Sequence, residues 1–107
     1  MSDPDARPWQ AVIDIGTNSV LLLLARPGEG PALEVAEDRC VITRLGEGVA
    51  QRGSLAPAAI ERTVAALAEL RAEAEARGAT ITAVTTEGVR LASNPEDFLR
   101  PAAAVLR

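Results

Sequence analysis

The stretch AVIDIGTNSVLLLLA, Ala11 to Ala25, limits the possible folds more than any other in the chain. It holds two runs rich in Val, Ile and Leu, Ala11 to Ile15 and Val20 to Ala25, each of the length of a buried strand. Between them stand Gly16, Thr17, Asn18 and Ser19, residues with turn chemistry. The pattern predicts a β-hairpin with Gly-Thr-Asn-Ser at its tip. Asp14 lies near the end of the first strand, where a strand that only filled a core would carry an apolar residue.

The rest of the chain builds outward from that hairpin. RPGEGPA, from Arg26 to Ala32, is a second turn dense in Pro and Gly, and Leu33 to Ile42 alternates in part, as a third antiparallel strand does. TRLGEGVAQRGSL has three glycines and no period, so it reads as an irregular surface connection. Pro57 opens the best helix, with Ile60, Val64, Leu67 and Leu70 on one stripe. Ala56 before it has no side-chain acceptor, which leaves Ser54 or water to cap the helix. Gly78 is placed to end it, and Glu73 and Arg77 are spaced for a favourable pair near its C-terminus. TITAVTT, Thr80 to Thr86, is β-branched and predicts a strand parallel to one already in the sheet. A short helix follows, then a last one with Ser93 or Asn94 as cap, Pro95 at its first position and Glu96 and Asp97 in its first turn. Pro101 deprives the Asp97 carbonyl of a donor and should kink or restart that helix.

Composition narrows the function. A chain of 107 residues supports one small core. A net charge of −4 argues against holding nucleic acid or acidic lipid by bulk attraction, and one Trp, one Phe and no Tyr leave almost no surface for stacking bases. Any anion must be held locally. All 11 basic residues are arginines, able to grip phosphate bidentately, although a GC-rich coding background produces the same bias. With no His and a single Cys, the usual zinc sites, His-based triads and internal disulfides are excluded within the chain, and Cys40 reads as a small core residue. MSDPDARPWQ lacks the pattern of a signal peptide, and the apolar run Val20 to Ala25 falls well short of the ~20 residues that span a bilayer. A soluble cytoplasmic protein without a membrane partner is expected, with residues 1–9 as a tail and 10–107 as the first part of a larger domain. PAAAVLR ends in what reads as mid-helix, which points to a fragment of a longer protein.

At the hairpin tip, a glycine followed by three short polar residues can turn its amides to one point and bind an anion. Asp14 would repel a phosphate there unless a divalent cation lies between, and Mg²⁺, which keeps water and takes few carboxylates, suits that place. The alternative is a plain hairpin with Asp14 and Thr17 bonded to the local backbone.

IDIGTNSVLLLLA resembles the first phosphate loop of the actin, Hsp70 and sugar-kinase superfamily, and Asn18-Ser19 after Thr17 is most similar to its exopolyphosphatase and guanosine pentaphosphate phosphohydrolase family. TRLGEGVAQRGSLAPAAIERTVAAL resembles that family's Arg-Leu-Gly-Glu-Gly connection and first long helix. VTTEGVRLASNPEDFL is similar to its Ala-Thr-Ser-Ala-x-Arg-x-Ala-x-Asn segment, with Glu87 and Gly88 where the family has Ser and Ala. The resemblance covers Gln10 to Leu99. It implies an α/β fold: a ribonuclease-H-like (actin-like ATPase) half-lobe, a three-stranded meander followed by helix, parallel strand and helices, truncated.

By the same resemblance Gly16, Thr17, Asn18, Ser19, Thr86 and Arg90 bind phosphate and Asp14 is the metal-linked carboxylate. The residues alone allow Arg90 to be a surface cation paired with Glu87, and Thr86 to be an ordinary strand end. The glutamate expected to activate water lies beyond the chain. The implied activity is Mg²⁺-dependent release of terminal phosphate from inorganic polyphosphate or guanosine pentaphosphate. A non-catalytic module binding polyphosphate or an alarmone is the alternative, and a kinase of the same superfamily a third. A homodimer is expected of the full-length protein, and the fragment alone is expected to be inactive.

Overall fold

The computed structural model describes residues 7–107. Of the tail expected over residues 1–9, the part at 1–6 lies outside the described residues. The hairpin is formed by β1 (Gln10–Ile15) and β2 (Ser19–Pro27), and β3 (Leu33–Ile42) completes the antiparallel meander. β4 (Thr80–Thr85) pairs parallel to β1, giving one sheet in the order β3-β2-β1-β4. Parallel pairing needs a crossover, and α2 (Pro57–Ala76) supplies it. Two single-turn helices, α1 (Val49–Arg52) and α3 (Glu87–Arg90), and the terminal α4 (Glu96–Leu106) complete the chain.

Alternation along β1 and β2 sorts side chains to two faces. Ala11, Ile13, Ile15, Val20, Leu22 and Leu24 turn to the helical side and are buried with Leu67, Leu70 and Phe98. The opposite face carries Val12, Asp14, Leu21 and Leu23, of which the apolar three are exposed. α2 lies on the covered face and α4 packs along α2.

Several expectations change here. The buried stripe of α2 runs through Ala59, Thr63, Ala66, Leu67, Leu70 and Ala74, while Ile60 and Val64 sit half-buried at its flank. The alanines allow the helix to lie close to the sheet, and the Thr63 hydroxyl is satisfied by donating to the Ala59 carbonyl at 2.8 Å. Cys40 is exposed rather than buried, because it stands opposite Leu21 on the open face. Glu73 pairs with Arg39 of β3, not with Arg77, whose guanidinium lies 4.9 Å over the Trp9 ring.

Gly78 does end α2. It takes φ +64°, its amide reaches the Glu75 carbonyl at 2.9 Å, and Ala79 reaches Ala74 at 3.0 Å, which is the Schellman arrangement that favours glycine. Asn94 does not cap α4. Its side chain mimics a peptide, with Oδ1 accepting from the Leu55 amide at 2.7 Å and Nδ2 donating to the Leu55 carbonyl at 3.1 Å. Pro101 does not restart the final helix, which runs unbroken from Glu96 to Leu106 with Phe98 and Ala102 buried on either side of the proline.

Candidate functional site

β1 and β4 run parallel, so their C-terminal ends deliver Asp14, Gly16 and Thr86 to one edge of the sheet, the place where α/β proteins collect ligands. Thr86 is tied there by its amide, which donates to the Ile15 carbonyl at 3.0 Å. From that edge the hairpin tip projects as residues 16–18, and α3 begins at Glu87.

The tip is held by its backbone. The Gly16 amide donates to the Ser19 carbonyl at 2.9 Å and closes the turn. The Thr17 carbonyl accepts from Gly46 at 2.7 Å, and the Asn18 carbonyl accepts from both Thr43 and Arg44 at 3.0 and 2.9 Å. In a trans peptide the N–H points opposite to the C=O, so the amides of Asn18 and Ser19 face away from the 43–46 segment. Gly16 therefore contributes turn closure and close approach, not a free donor. A Cβ on it would meet the Ser19 carbonyl oxygen at 3.1 Å.

The connection expected to wander over the surface is part of this site. Its Thr43 and Leu45 are buried, and its amides clamp the tip. Gly46 lies so near Thr17 that a Cβ there would stand 2.9 Å from the Thr17 Cβ. A Cβ at Gly88 would stand 2.8 Å from the Thr17 Cγ2. Thr17 thus packs on two glycines from two different segments. Neither glycine belongs to the site that the sequence predicts. The signal for one of them was the dense glycine spacing of Gly46 and Gly48.

The polar side chains gathered here are unspent. Among the described residues, Asp14, Thr17, Asn18, Ser19, Thr86 and Arg90 make no side-chain hydrogen bond or ion pair. That outcome differs from both bland alternatives, since Asp14 and Thr17 are not bonded to the local backbone and Arg90 is not paired with Glu87. Arg90, Thr17 and Asn18 are exposed, and Asp14 is half-buried. The structure brings Gly16, Thr17 and Thr86 together and places Arg90 one turn further along α3.

Asp14 fits Mg²⁺ in one respect. The described residues hold no cluster of three acidic or other metal-ligating side chains, so no all-protein cage exists, but Mg²⁺ commonly binds through one or two carboxylates, water and phosphate oxygens. Asp14 offers a single unengaged, half-buried carboxylate at the end of β1. No helix among the described residues is long and apolar enough to cross a membrane.

The comparisons with known proteins agree with one another. The model of the Ppx/GppA phosphatase family matches residues 24–106. Two proteins named exopolyphosphatase 2, from two strains of Mycobacterium tuberculosis, are each 47% identical over 62 residues, covering 55% of this chain and 19% of their own. The Aquifex aeolicus Ppx/GppA family member superposes with a TM-score of 0.84 at 35% identity, over 91% of this chain and 32% of that one. An exopolyphosphatase from Cytophaga hutchinsonii has the same fold, with a TM-score of 0.81 at 24% identity over 92% of this chain and 32% of that one. The α/β architecture is thus that of the actin-like ATPase fold, and this chain spans about a third of those structures.

Proposed function

The chain belongs to the Ppx/GppA phosphatase family, and from that premise we propose that it forms the N-terminal part of a hydrolase that releases the terminal phosphate of inorganic polyphosphate or guanosine pentaphosphate. The observation that carries this reading is the set of unengaged polar side chains, Asp14, Thr17, Asn18, Ser19, Thr86 and Arg90, assembled around the ends of β1 and β4. Unbonded within the chain and open to solvent or half-buried, they are available to a ligand.

Phosphoryl transfer asks a protein chiefly for positioning and charge. In the proposed reading the tip amides not used by the hairpin, with the hydroxyls of Thr17, Ser19 and Thr86, orient the phosphate oxygens. Arg90 meets the charge that builds on the transferred group. Gly16 keeps the turn tight enough for the anion to approach the backbone. Asp14 would hold Mg²⁺, which when bound neutralises phosphate charge. The water-activating base is not assigned to any residue of this chain, and turnover is proposed only for the full-length protein.

The test is phosphate release from polyphosphate by the full-length protein, compared with Asp14→Ala and Arg90→Ala. Each variant should lose roughly 10²- to 10³-fold in kcat, the scale of removing one preorganised charge-stabilising group. Activity that survives both changes removes the site assignment. Phosphate binding without any turnover by the full-length protein would instead favour a binding module.

A further inference from the structure

Arg44 lies in the same connection that clamps the hairpin tip, and its backbone is unusual. It is the one non-glycine residue with positive φ among those described, at +51°. An L-residue in that region carries a conformational cost that the surroundings must hold in place. Here they do: the Arg44 amide donates to Asn18, and its carbonyl accepts from Glu47 at 3.0 Å and from Arg62 Nη2 at 3.2 Å. The side chain that this conformation presents is exposed and, among the described residues, makes no hydrogen bond or ion pair.

A cavity of about 300 Å³ opens beside it, lined by Thr17, Asn18, Arg44, Gly46 and Glu47. That volume is at the lower end for a small-ligand site. The tip residues of the proposed phosphate cradle therefore form one wall of a second recess. Glu47, the one acid in the lining, is already engaged by Arg62 at 3.0 Å, and Arg62 is fixed by the Thr43 carbonyl at 2.8 Å. With that carboxylate matched, Arg44 leaves the recess locally positive on a chain whose net charge is −4.

We propose that Arg44 with the Thr17–Asn18 wall is a second anion subsite, which takes a further phosphate of a linear phosphate chain whose terminal group lies at the hairpin tip. The proposal rests on the tip reading given above and deepens it, because it makes the site selective for linked phosphates over single ones. Thr17 connects the two subsites physically: it packs against Gly46 from the Arg44 segment and Gly88 from the Arg90 segment. A cation thus stands on each of the two segments that meet at one threonine.

Calorimetric titration of the full-length protein, with chelator present to prevent turnover, with inorganic orthophosphate and with tripolyphosphate tests it, using wild type, Arg44→Gln, Arg44→Gly, Arg90→Gln and the distant charge control Arg71→Gln. Glycine at position 44 suits a positive φ, so Arg44→Gly removes the charge without strain, and circular dichroism checks that each variant is folded. Wild type should prefer tripolyphosphate. Both Arg44 variants should bind tripolyphosphate about threefold to fivefold more weakly while orthophosphate affinity changes less than about twofold, the scale of one exposed charge contact. Arg90→Gln should weaken both anions, and Arg71→Gln neither.

An unchanged tripolyphosphate preference in the Arg44 variants overturns the subsite, as does no tripolyphosphate binding by folded wild type, or an equal loss for both anions. If instead the Arg44 variants lose that preference while Arg90→Gln changes nothing, anion binding at Arg44 stands by itself, and the tip reading falls together with the link between the two subsites.

Discussion

Thr17 shows how much of the site depends on single atoms. Alanine at 46 would bring its Cβ to 2.9 Å from the Thr17 Cβ, an atom that no side-chain rotation can move. Alanine at 88 would meet only the Thr17 Cγ2, at 2.8 Å, and a change of χ1 relieves that contact. Gly46→Ala should therefore destabilise the chain by about 1–3 kcal/mol, the usual cost of overpacking, and Gly88→Ala by distinctly less. Urea midpoints of the two variants measure the difference. Equal losses, or the reverse order, would mean that Thr17 is not the fixed point. Gly88 also accounts for a departure noted in the sequence: where alanine is expected, this chain has the residue that leaves Thr17 its present rotamer. The chemistry of the tip was legible because Gly-Thr-Asn-Ser is an unusual interruption between two apolar runs. The bonding of its carbonyls to Thr43, Arg44 and Gly46 was not, since backbone partners leave no mark on residue identity.

At the scale of elements, the start of β1, the end of β2, the start of β3 and the end of α2 meet in one cluster of charge around an aromatic ring. The Trp9 indole lies under Arg26 at 4.3 Å and Arg77 at 4.9 Å. Arg26, itself buried, donates from Nε and Nη2 to the Glu34 carboxylate at 2.9 and 3.2 Å, and Arg7 approaches the same group at 3.5 Å. The hydrogen bond from Arg26, aided by the charges of Arg26, Arg7 and Arg77, holds the Glu34 carboxyl below its ordinary 4.5 against a smaller opposing effect of desolvation. A carboxyl whose pKa is lower in the folded state contributes stability above its unfolded pKa and loses it as pH falls through the folded value. Wild type should thus melt above Glu34→Gln at neutral pH, and the gap should close as pH drops below about 4.5. Thermal melts across that range check it, and a gap independent of pH would refute the ion-pair account. The elements themselves were legible from periodicity: β3 and the N-terminus of α2 fall where expected, and Pro57 and Gly78 bracket the helix for the stated reasons. Its buried face was not, because Ala59, Ala66 and Ala74 carry little hydrophobic signal and are chosen for closeness. The tertiary pairing of Glu73 with Arg39 also overrode a local pairing with Arg77, as long-range contacts commonly do.

For the molecule as a whole, the decisive asymmetry is a sheet with helices on one face only. Val12, Leu21, Leu23 and Val84 remain 36 to 49% exposed on the other face, and β4 lies at the sheet edge. Contiguous apolar residues on an open face, next to an edge strand with unpaired amides and carbonyls, are the two features by which sheets associate. Neither feature is blunted here by lysine, since the chain has none. The α/β half-lobe was legible in the order of its strands and helices, whereas the open face was not, because β2 reads as a continuous apolar run and hides which of its residues face outward. The chain as it stands should therefore self-associate as its concentration rises, with the apolar face and the β4 edge as the contact. Sedimentation velocity across a concentration series should show a rising weight-average coefficient for wild type. Leu21→Lys with Val84→Lys should remove most of that rise, because each copy would then bring unpaired charge into the contact and desolvate it there. A wild-type chain that stays monomeric throughout, or a double variant that associates equally, would show that the exposed leucines and valines are not the contact surface.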